Sequence, residues 1–277
     1  MEIYGILKDG KEILRKAGIK DYDIEAEVLL SNVLDLKRYR LYIEKINISR
    51  THFKKYFLLL QKRIRGIPLV YLIKYVYFWK YRFEMEPGVF IPRPETELII
   101  ESAKQIFSEK DKIKILDICT GCGVLAVCLA KEFPESKVVA TDISGKSICL
   151  SKKNAKNIDV SDRIEFLRCN LFPRKKIFYD LIISNPPYIS KSAMRNLPKE
   201  VQYEPERALD GGKNGLDYHK KIIEGSKKFL KKNGYLIMEI SPEQKSFFLD
   251  RNFSSLKVME IKKDFCNLDR VVILSDL

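Results

Sequence analysis

The chain has 277 residues, 45% of them apolar and 32% charged, which is soluble-globular composition with room for one large domain or two smaller ones. No apolar run nears the roughly 18–20 residues that span a bilayer, and MEIYGILKDGKEIL lacks the basic start and apolar core of a secretory signal, so a cytoplasmic protein with no membrane partner is expected. Lys+Arg outnumber Asp+Glu by 51 to 37, a net charge of +14. This suits nucleic acid or an acidic protein surface, although lysines spread over solvated faces give the same balance, so a nucleic-acid partner is not required.

Residues 1–66 carry helical periodicity. Ile6, Leu7, Ile13, Leu14 and Ala17 share one face closed by Gly18, and Ala26, Val28, Leu29, Leu30 and Val33 share another. A third helix opens near Thr51, a plausible N-cap. These make a small N-terminal helical bundle of the kind that docks a partner or substrate. The basic excess is densest here: the first 86 residues hold 18 basic against 11 acidic side chains. Residues 67–92 are aromatic and β-branched, as in Val70–Phe83, with Glu86-Pro-Gly88 as a turn. They read as a β-hairpin linker that packs against the domain after it.

From residue 93 to 277 the pattern is α/β. Pro94 at a first helical position, with Glu95 and Glu97 in the first turn, starts a helix. Arg93 between two prolines is a candidate to support a substrate or a neighbouring loop, or simply to pair with a surface acid. Predicted strands at 113–118, 137–142, 163–168, 180–184 and 235–240 alternate with helices at 124–133, 144–157 (capped by Ser144), 216–231 and 242–251. Strands at 257–261 and 270–274 close the chain as an antiparallel hairpin. Alternation of this kind gives a Rossmann-like, mostly parallel doubly wound sheet.

Two stretches carry chemistry. Asp117-Ile-Cys119-Thr120-Gly121-Cys122-Gly123 joins the first strand to its helix, and Asp142 ends the second strand nineteen residues past Gly123. Glycines there allow close approach of backbone to ligand, and the acid can accept the hydroxyls of a ribose. The loop alone fits NAD and S-adenosylmethionine about equally, since Gly121-x-Gly-x-x-Ala126 also satisfies the dinucleotide fingerprint, and a turn that binds neither would read the same way. Asp117 turns the choice toward S-adenosylmethionine, because it can receive an ammonium and would repel a pyrophosphate. Cys119 and Cys122 lack two further ligands at recognisable spacing, the only histidines being His52 and His219, so no metal is expected.

The second stretch is Ser184-Asn185-Pro186-Pro187-Tyr188. Two prolines end the strand and leave a rigid loop at its carboxyl end, where open α/β sheets bind ligands. The amide oxygen of Asn185 and the carbonyl of Pro186 can each accept one N–H of a planar NH2 group, freeing its delocalised lone pair. Tyr188 can stack on that group and aim it at a sulfonium methyl. The acceptor at this stage is any planar NH2 group.

Asn185-Pro-Pro-Tyr188 resembles the signature of class I amino-methyltransferases. Ile91-Pro-Arg-Pro-Glu-Thr-Glu97, Tyr203-Glu-Pro-Glu-Arg-Ala-Leu-Asp-Gly-Gly212 and Asp269-Arg-Val-Val narrow the likeness to the PrmC/HemK glutamine N5-methyltransferases of peptide chain release factors. Pro92-Arg-Pro-Glu95 favours this branch over the ribosomal-protein enzymes, which usually read Pro-Arg-Ser-Pro. The resemblance implies a monomeric cytoplasmic enzyme that methylates the Gly-Gly-Gln glutamine of release factors. Asp117, Cys119–Gly123, Asp142, Asn170, Leu171 and Asn185 would hold S-adenosylmethionine, with Asn185–Tyr188 and Arg93 at the substrate and Asn185, Pro186 and Tyr188 catalytic. The alternatives are methylation of a ribosomal-protein glutamine or of an exocyclic amine of DNA or RNA, and a non-catalytic RNA-binding module. The chain departs from the family at four positions: Cys119, Lys74 and Asn267, where Gly is usual, and Asn170, where Asp is usual.

Overall fold

A computed structural model describes residues 2–249, 253 and 256–276, which form two compact units. One comprises the chain up to Tyr75 together with Pro198–Tyr203; the other comprises Val76–Leu197 and Glu204 onward.

The first unit is helical: α1 (Ile3–Lys16), α2 (Tyr22–Leu34), the single turn α3 (Arg40–Ile43), α4 (Arg50–Ile64) and the short α5 (Leu69–Ile73). Its core joins Leu7 and Leu14 to Leu29, Leu30, Tyr56 and Leu60. The cap of α4 is Ser49, whose hydroxyl accepts the His52 amide, so the helix starts two residues before the predicted Thr51. The buried Arg63 binds Glu25 through two nitrogens at 2.6 and 3.0 Å and Glu200 at 2.8 Å. A buried guanidinium needs that many acceptors to offset its desolvation.

The aromatic stretch is part helix and part hairpin. Leu69–Ile73 is α5, and the hairpin is β1 (Tyr75–Phe78) with β2 (Tyr81–Glu84), closed at Trp79-Lys80, while the expected turn at Glu86–Gly88 forms just after β2, the Val89 amide donating to Glu86. Two residues cannot close a hairpin without positive φ, and Trp79 takes it at 55°. The Trp79 indole donates to Glu132 at 2.8 Å, and Phe78 and Phe83 are buried. The ribbon therefore packs on its own unit, as its composition suggests.

After the 3-10 turn Pro94–Thr96 come α6 (Glu97–Ile106), β3 (Lys114–Ile118), α7 (Val124–Glu132), β4 (Lys137–Asp142), α8 (Gly145–Asn157), β5 (Ile164–Arg168), β6 (Tyr179–Ser184), α9 (Lys191–Met194), α10 (Asp217–Ser226), β7 (Leu230–Glu239), α11 (Lys245–Leu249), β8 (Lys257–Lys263) and β9 (Asp269–Ser275). The predicted last helix is a 3-10 turn, Pro242–Gln244, followed by α11; its expected end at 250–251 lies outside the described residues. β7 starts earlier than predicted, at Leu230, and runs through Asn233-Gly234 with a register shift.

The seven strands lie in the order β5-β4-β3-β6-β7-β9-β8, parallel except for β9, which is antiparallel to both neighbours. This is the expected Rossmann-like sheet with its carboxyl-terminal hairpin. The connections reverse direction between β3 and β6, the switch point beyond which such sheets bind ligands. Ile118 pairs with Thr141 and Ser184, and Ser184 with Met238. The next residue on each of these four strands, Cys119, Asp142, Asn185 and Glu239, therefore emerges at one level of the sheet edge.

Candidate active site

β3 delivers the first half. Asp117 is fully buried, and its Oδ2 accepts the Thr120 hydroxyl at 2.6 Å and the Ala126 amide at 3.2 Å, so the carboxylate braces the turn it precedes. Its Oδ1 has no hydrogen-bond partner among the described residues. Burial pushes the Asp117 carboxyl up to about 7, against the pull of those two donors. Cys119 stands at φ 63°, Thr120 donates its amide to Thr141, and Gly121 at φ 58° has open space where a side chain would be. Burial raises both thiols, Cys122 to about 12 and Cys119 further. Neither is poised as a thiolate.

Asp142 takes the Gly121 amide at 3.0 Å on one oxygen and the Ser144 amide at 2.8 Å on the other. The carboxylate thus couples the β3 turn to the start of α8, and each oxygen keeps acceptor capacity. Leu171, at φ 62°, is drawn to the same edge because the Thr141 hydroxyl donates to its carbonyl at 2.6 Å. Asn170 beside it is exposed.

β6 delivers the second half. Ser184 ties its strand end to β3 by donating to the Ile118 carbonyl at 2.7 Å. Pro186 and Pro187 are buried while Asn185 and Tyr188 are partly exposed. The Asn185 Nδ2 donates to Thr96 Oγ1 at 3.0 Å, Thr96 donates to Glu239 Oε2 at 2.5 Å, and the Tyr188 hydroxyl donates to Glu239 Oε1 at 2.9 Å. Behind the loop, Gln244 Nε2 donates to the carbonyls of Tyr188 (3.2 Å) and Gly215 (2.7 Å). Ile189 exchanges backbone hydrogen bonds with Leu209 and Gly211, which gives the Asp210-Gly-Gly212 stretch its use. A Cβ on Gly211 would lie 2.7 Å from Tyr188 Cα.

Arg93 is placed differently from the rest. It forms an ion pair with the buried Glu204, whose other oxygen accepts the Ile91 amide at 2.9 Å, and its guanidinium lies 5.1 Å from the Phe90 ring centroid. Its charge is neutralised by an acid 111 residues further along the chain. Sequence reasoning missed Thr96, Glu239, Glu204 and Gln244. Glu239 did leave a signal, being the one charge in Tyr235-Leu-Ile-Met-Glu-Ile240.

Known proteins resemble the chain along its whole length. Residues 5–73 match the PrmC N-terminal domain and residues 80–210 the methyltransferase small domain. A release factor glutamine methyltransferase of Buchnera aphidicola subsp. Baizongia pistaciae is 35% identical over 99% of both chains. Another, of Dictyoglomus turgidum, is 38% identical over 90% of this chain and 89% of its own. The chain belongs to the release factor glutamine methyltransferase family. In fold it is similar to a methyltransferase of Pyrococcus furiosus (TM-score 0.52, 18% identity, 70% of this chain and 88% of that one). It is also similar to the 16S rRNA N2 G1207 methyltransferase of T. thermophilus (TM-score 0.53, 15% identity, 73% and 50%).

The family implies S-adenosylmethionine as cofactor, and the β3 edge fits it. The unpartnered Oδ1 of Asp117 is an acceptor with nothing yet to accept, as a site for a cation requires. Gly121 leaves the turn open to close approach, and Asp142 stands where the second strand ends. Among the described residues no three His, Cys, Asp or Glu side chains gather as metal ligands.

Proposed function

We propose that this chain transfers the methyl group of S-adenosylmethionine to the side-chain amide N5 of the glutamine in the Gly-Gly-Gln motif of peptide chain release factors. The observation that carries this is the Asn185 carboxamide: its nitrogen is engaged by Thr96, so its oxygen is left to accept from a substrate. Family membership supports the glutamine and the release factor.

S-adenosylmethionine supplies an electrophilic methyl when bound. Asp117, the Cys119–Gly123 turn, Asp142, Asn170 and Leu171 would hold it. On the other side, Asn185 Oδ1 and the Pro186 carbonyl each accept one N–H of the glutamine amide. Two acceptors in those positions favour a tetrahedral nitrogen, free its lone pair, and stabilise the positive charge that develops as the new C–N bond forms. Tyr188, held by Glu239 and Gln244, packs against the flat amide and limits its orientation. One N–H proton leaves after transfer, so no group need act as a base before attack. Arg93, paired with Glu204, serves this site by holding the loop before α6. The helical unit at the N-terminus is the docking surface for the release factor, and the reaction takes place in the cytoplasm.

The test is methylation by tritiated S-adenosylmethionine of purified release factor, ribosomal protein and nucleic acid in parallel. Label should enter the release factor alone and vanish when its Gly-Gly-Gln glutamine is replaced. Asn185→Ala should cut kcat by about 10²–10³-fold, the scale of losing one acceptor or donor at a charge-developing centre. Near-normal turnover by that variant would falsify the mechanism.

A further inference from the structure

An Asn side chain can present either end of its amide to a substrate, and only one end accepts a hydrogen bond. Resting on the acceptor role given above to Asn185, we propose that Glu239, acting through the Thr96 hydroxyl, is the positioning residue that fixes the polarity of the Asn185 amide, and that its second oxygen aligns Tyr188. Glu239 joins both ends of the Asn185–Tyr188 loop to one group, Asn185 through Thr96 on one oxygen and Tyr188 on the other.

The logic is directional. An ionised carboxylate only accepts, so the Thr96 proton goes to Glu239 Oε2, at 2.5 Å. The Thr96 oxygen is then left with lone pairs alone on its remaining side, and the Asn185 group 3.0 Å away must offer its NH2. That turns Oδ1 the other way. The Tyr188 proton is committed to Glu239 Oε1 by the same rule. Thr96 and Glu239 are 2% and 1% exposed, so water does not compete for these bonds. The chain of contacts spans the 3-10 turn before α6, the β6 loop and the end of β7, three segments that sequence order keeps far apart.

The device has a condition. Burial raises the Glu239 carboxyl to about 7, against the two hydroxyl donors and Arg270, with Glu95 pushing the same way as burial. His219, packed from α10, donates Nε2–H to the Glu239 backbone carbonyl at 2.8 Å and is itself pushed down to about 4 by burial, so it is neutral near pH 7. A protonated Glu239 carries a donor of its own. One hydroxyl bond must then reverse, and if it is that of Thr96, its proton turns to Asn185 and selects the amide oxygen, presenting NH2 to the substrate.

Thr96→Val keeps the shape and removes the hydroxyl, and Thr96→Ser restores the hydroxyl. With release factor as substrate, Thr96→Val should lower kcat about ten- to hundredfold, with the KM for release factor and the cofactor dissociation constant within about threefold of wild type. Thr96→Ser should recover most of the turnover. The wild type and Thr96→Ser should show an acid limb in kcat that Thr96→Val and Glu239→Gln lack. A second readout needs no substrate: the Asn185 side-chain NH2 resonance, assigned by its loss in Asn185→Ala, should exchange slowly with water in wild type and Thr96→Ser and rapidly in Thr96→Val. Wild-type turnover or slow exchange in Thr96→Val, or a Thr96→Ser enzyme as slow as Thr96→Val, overturns the proposal. If the release factor is the wrong substrate, the wild type fails to methylate it, while the exchange measurement still decides whether Thr96 holds the amide.

Discussion

The β3 turn and the β6 loop are neighbours built to opposite plans. Each rests on a fully buried carboxyl raised to about 7 by desolvation. Glu239 has both oxygens satisfied by hydroxyls of the chain, whereas Asp117 has one oxygen satisfied and one without a partner among the described residues. A complete network costs nothing further when the substrate arrives and holds its groups in place. An incomplete one keeps a desolvated acceptor in reserve, to be satisfied by whatever binds. In the proposed enzyme the acceptor half is preorganised and the cofactor half is finished by its ligand.

The sharpest way to break this contrast is Asp117→Asn. Hydrogen bonds to charged groups contribute about 1.5–3 kcal/mol, so the variant should bind S-adenosylmethionine about ten- to hundredfold more weakly, as titrated by calorimetry. The wild type should bind more tightly at pH 8 than at pH 6, releasing a proton, because a cationic group favours ionised Asp117; the variant should lose that slope. The sign for stability is the reverse. Folded Asp117 holds its proton more tightly than the unfolded chain does, so its contribution is full below about pH 4 and is lost as pH rises through about 7. Denaturant titrations without cofactor should show stability falling from pH 5 to pH 8 in the wild type and falling less in the variant. Equal affinities at both pH values would place the ammonium elsewhere.

Gly211→Ala probes the other half. Its Cβ would meet Tyr188 Cα at 2.7 Å and the Gly215 backbone at 2.8 Å, atoms that cannot swing aside. Overpacking of this kind costs about 1–3 kcal/mol. Turnover should fall and the melting temperature drop, with cofactor affinity unmoved. A loss of cofactor binding instead would mean that the two halves are mechanically one.

The sheet was legible because its strands are apolar runs separated by helical periods, and Asp142 and Asn185 end such runs while Asp117 stands one residue before the end of its own, where a ligand edge must be. The hairpin turn was not, since Trp79-Lys80 lacks the Gly or Asn that marks positive φ. The Thr96–Glu239 link joins residues 143 apart, and no local pattern reports a side-chain contact of that span. A Thr in a helix start and an acid at a strand end each have a sufficient local explanation. Asp117 as a brace for its own turn was hidden for the same reason: its role depends on which oxygen meets the Ala126 amide.

Several non-glycine residues take the backbone conformation that glycine adopts most readily. Lys74, Cys119 and Asn267, where the family resemblance leads one to expect Gly, all have positive φ, at 68°, 63° and 61°. The left-handed region costs a non-glycine residue about 1–2 kcal/mol, least for Asn. Cys119 lies in the turn after β3, and its backbone is held there by the Thr120–Thr141 hydrogen bond and the strand behind it. Cys119→Gly relieves the strain but gives back part of the gain in chain entropy and in lost packing, for a net stabilisation of about 0.5 kcal/mol, read as a rise of about 1–2 °C in melting temperature. Cys119→Ala keeps the strain and loses the same sulfur, so it should be less stable than the wild type. The difference between the two variants isolates the backbone from the thiol. If Ala and Gly shift stability alike, the left-handed turn is not strained, and the cysteine is held there by its packing.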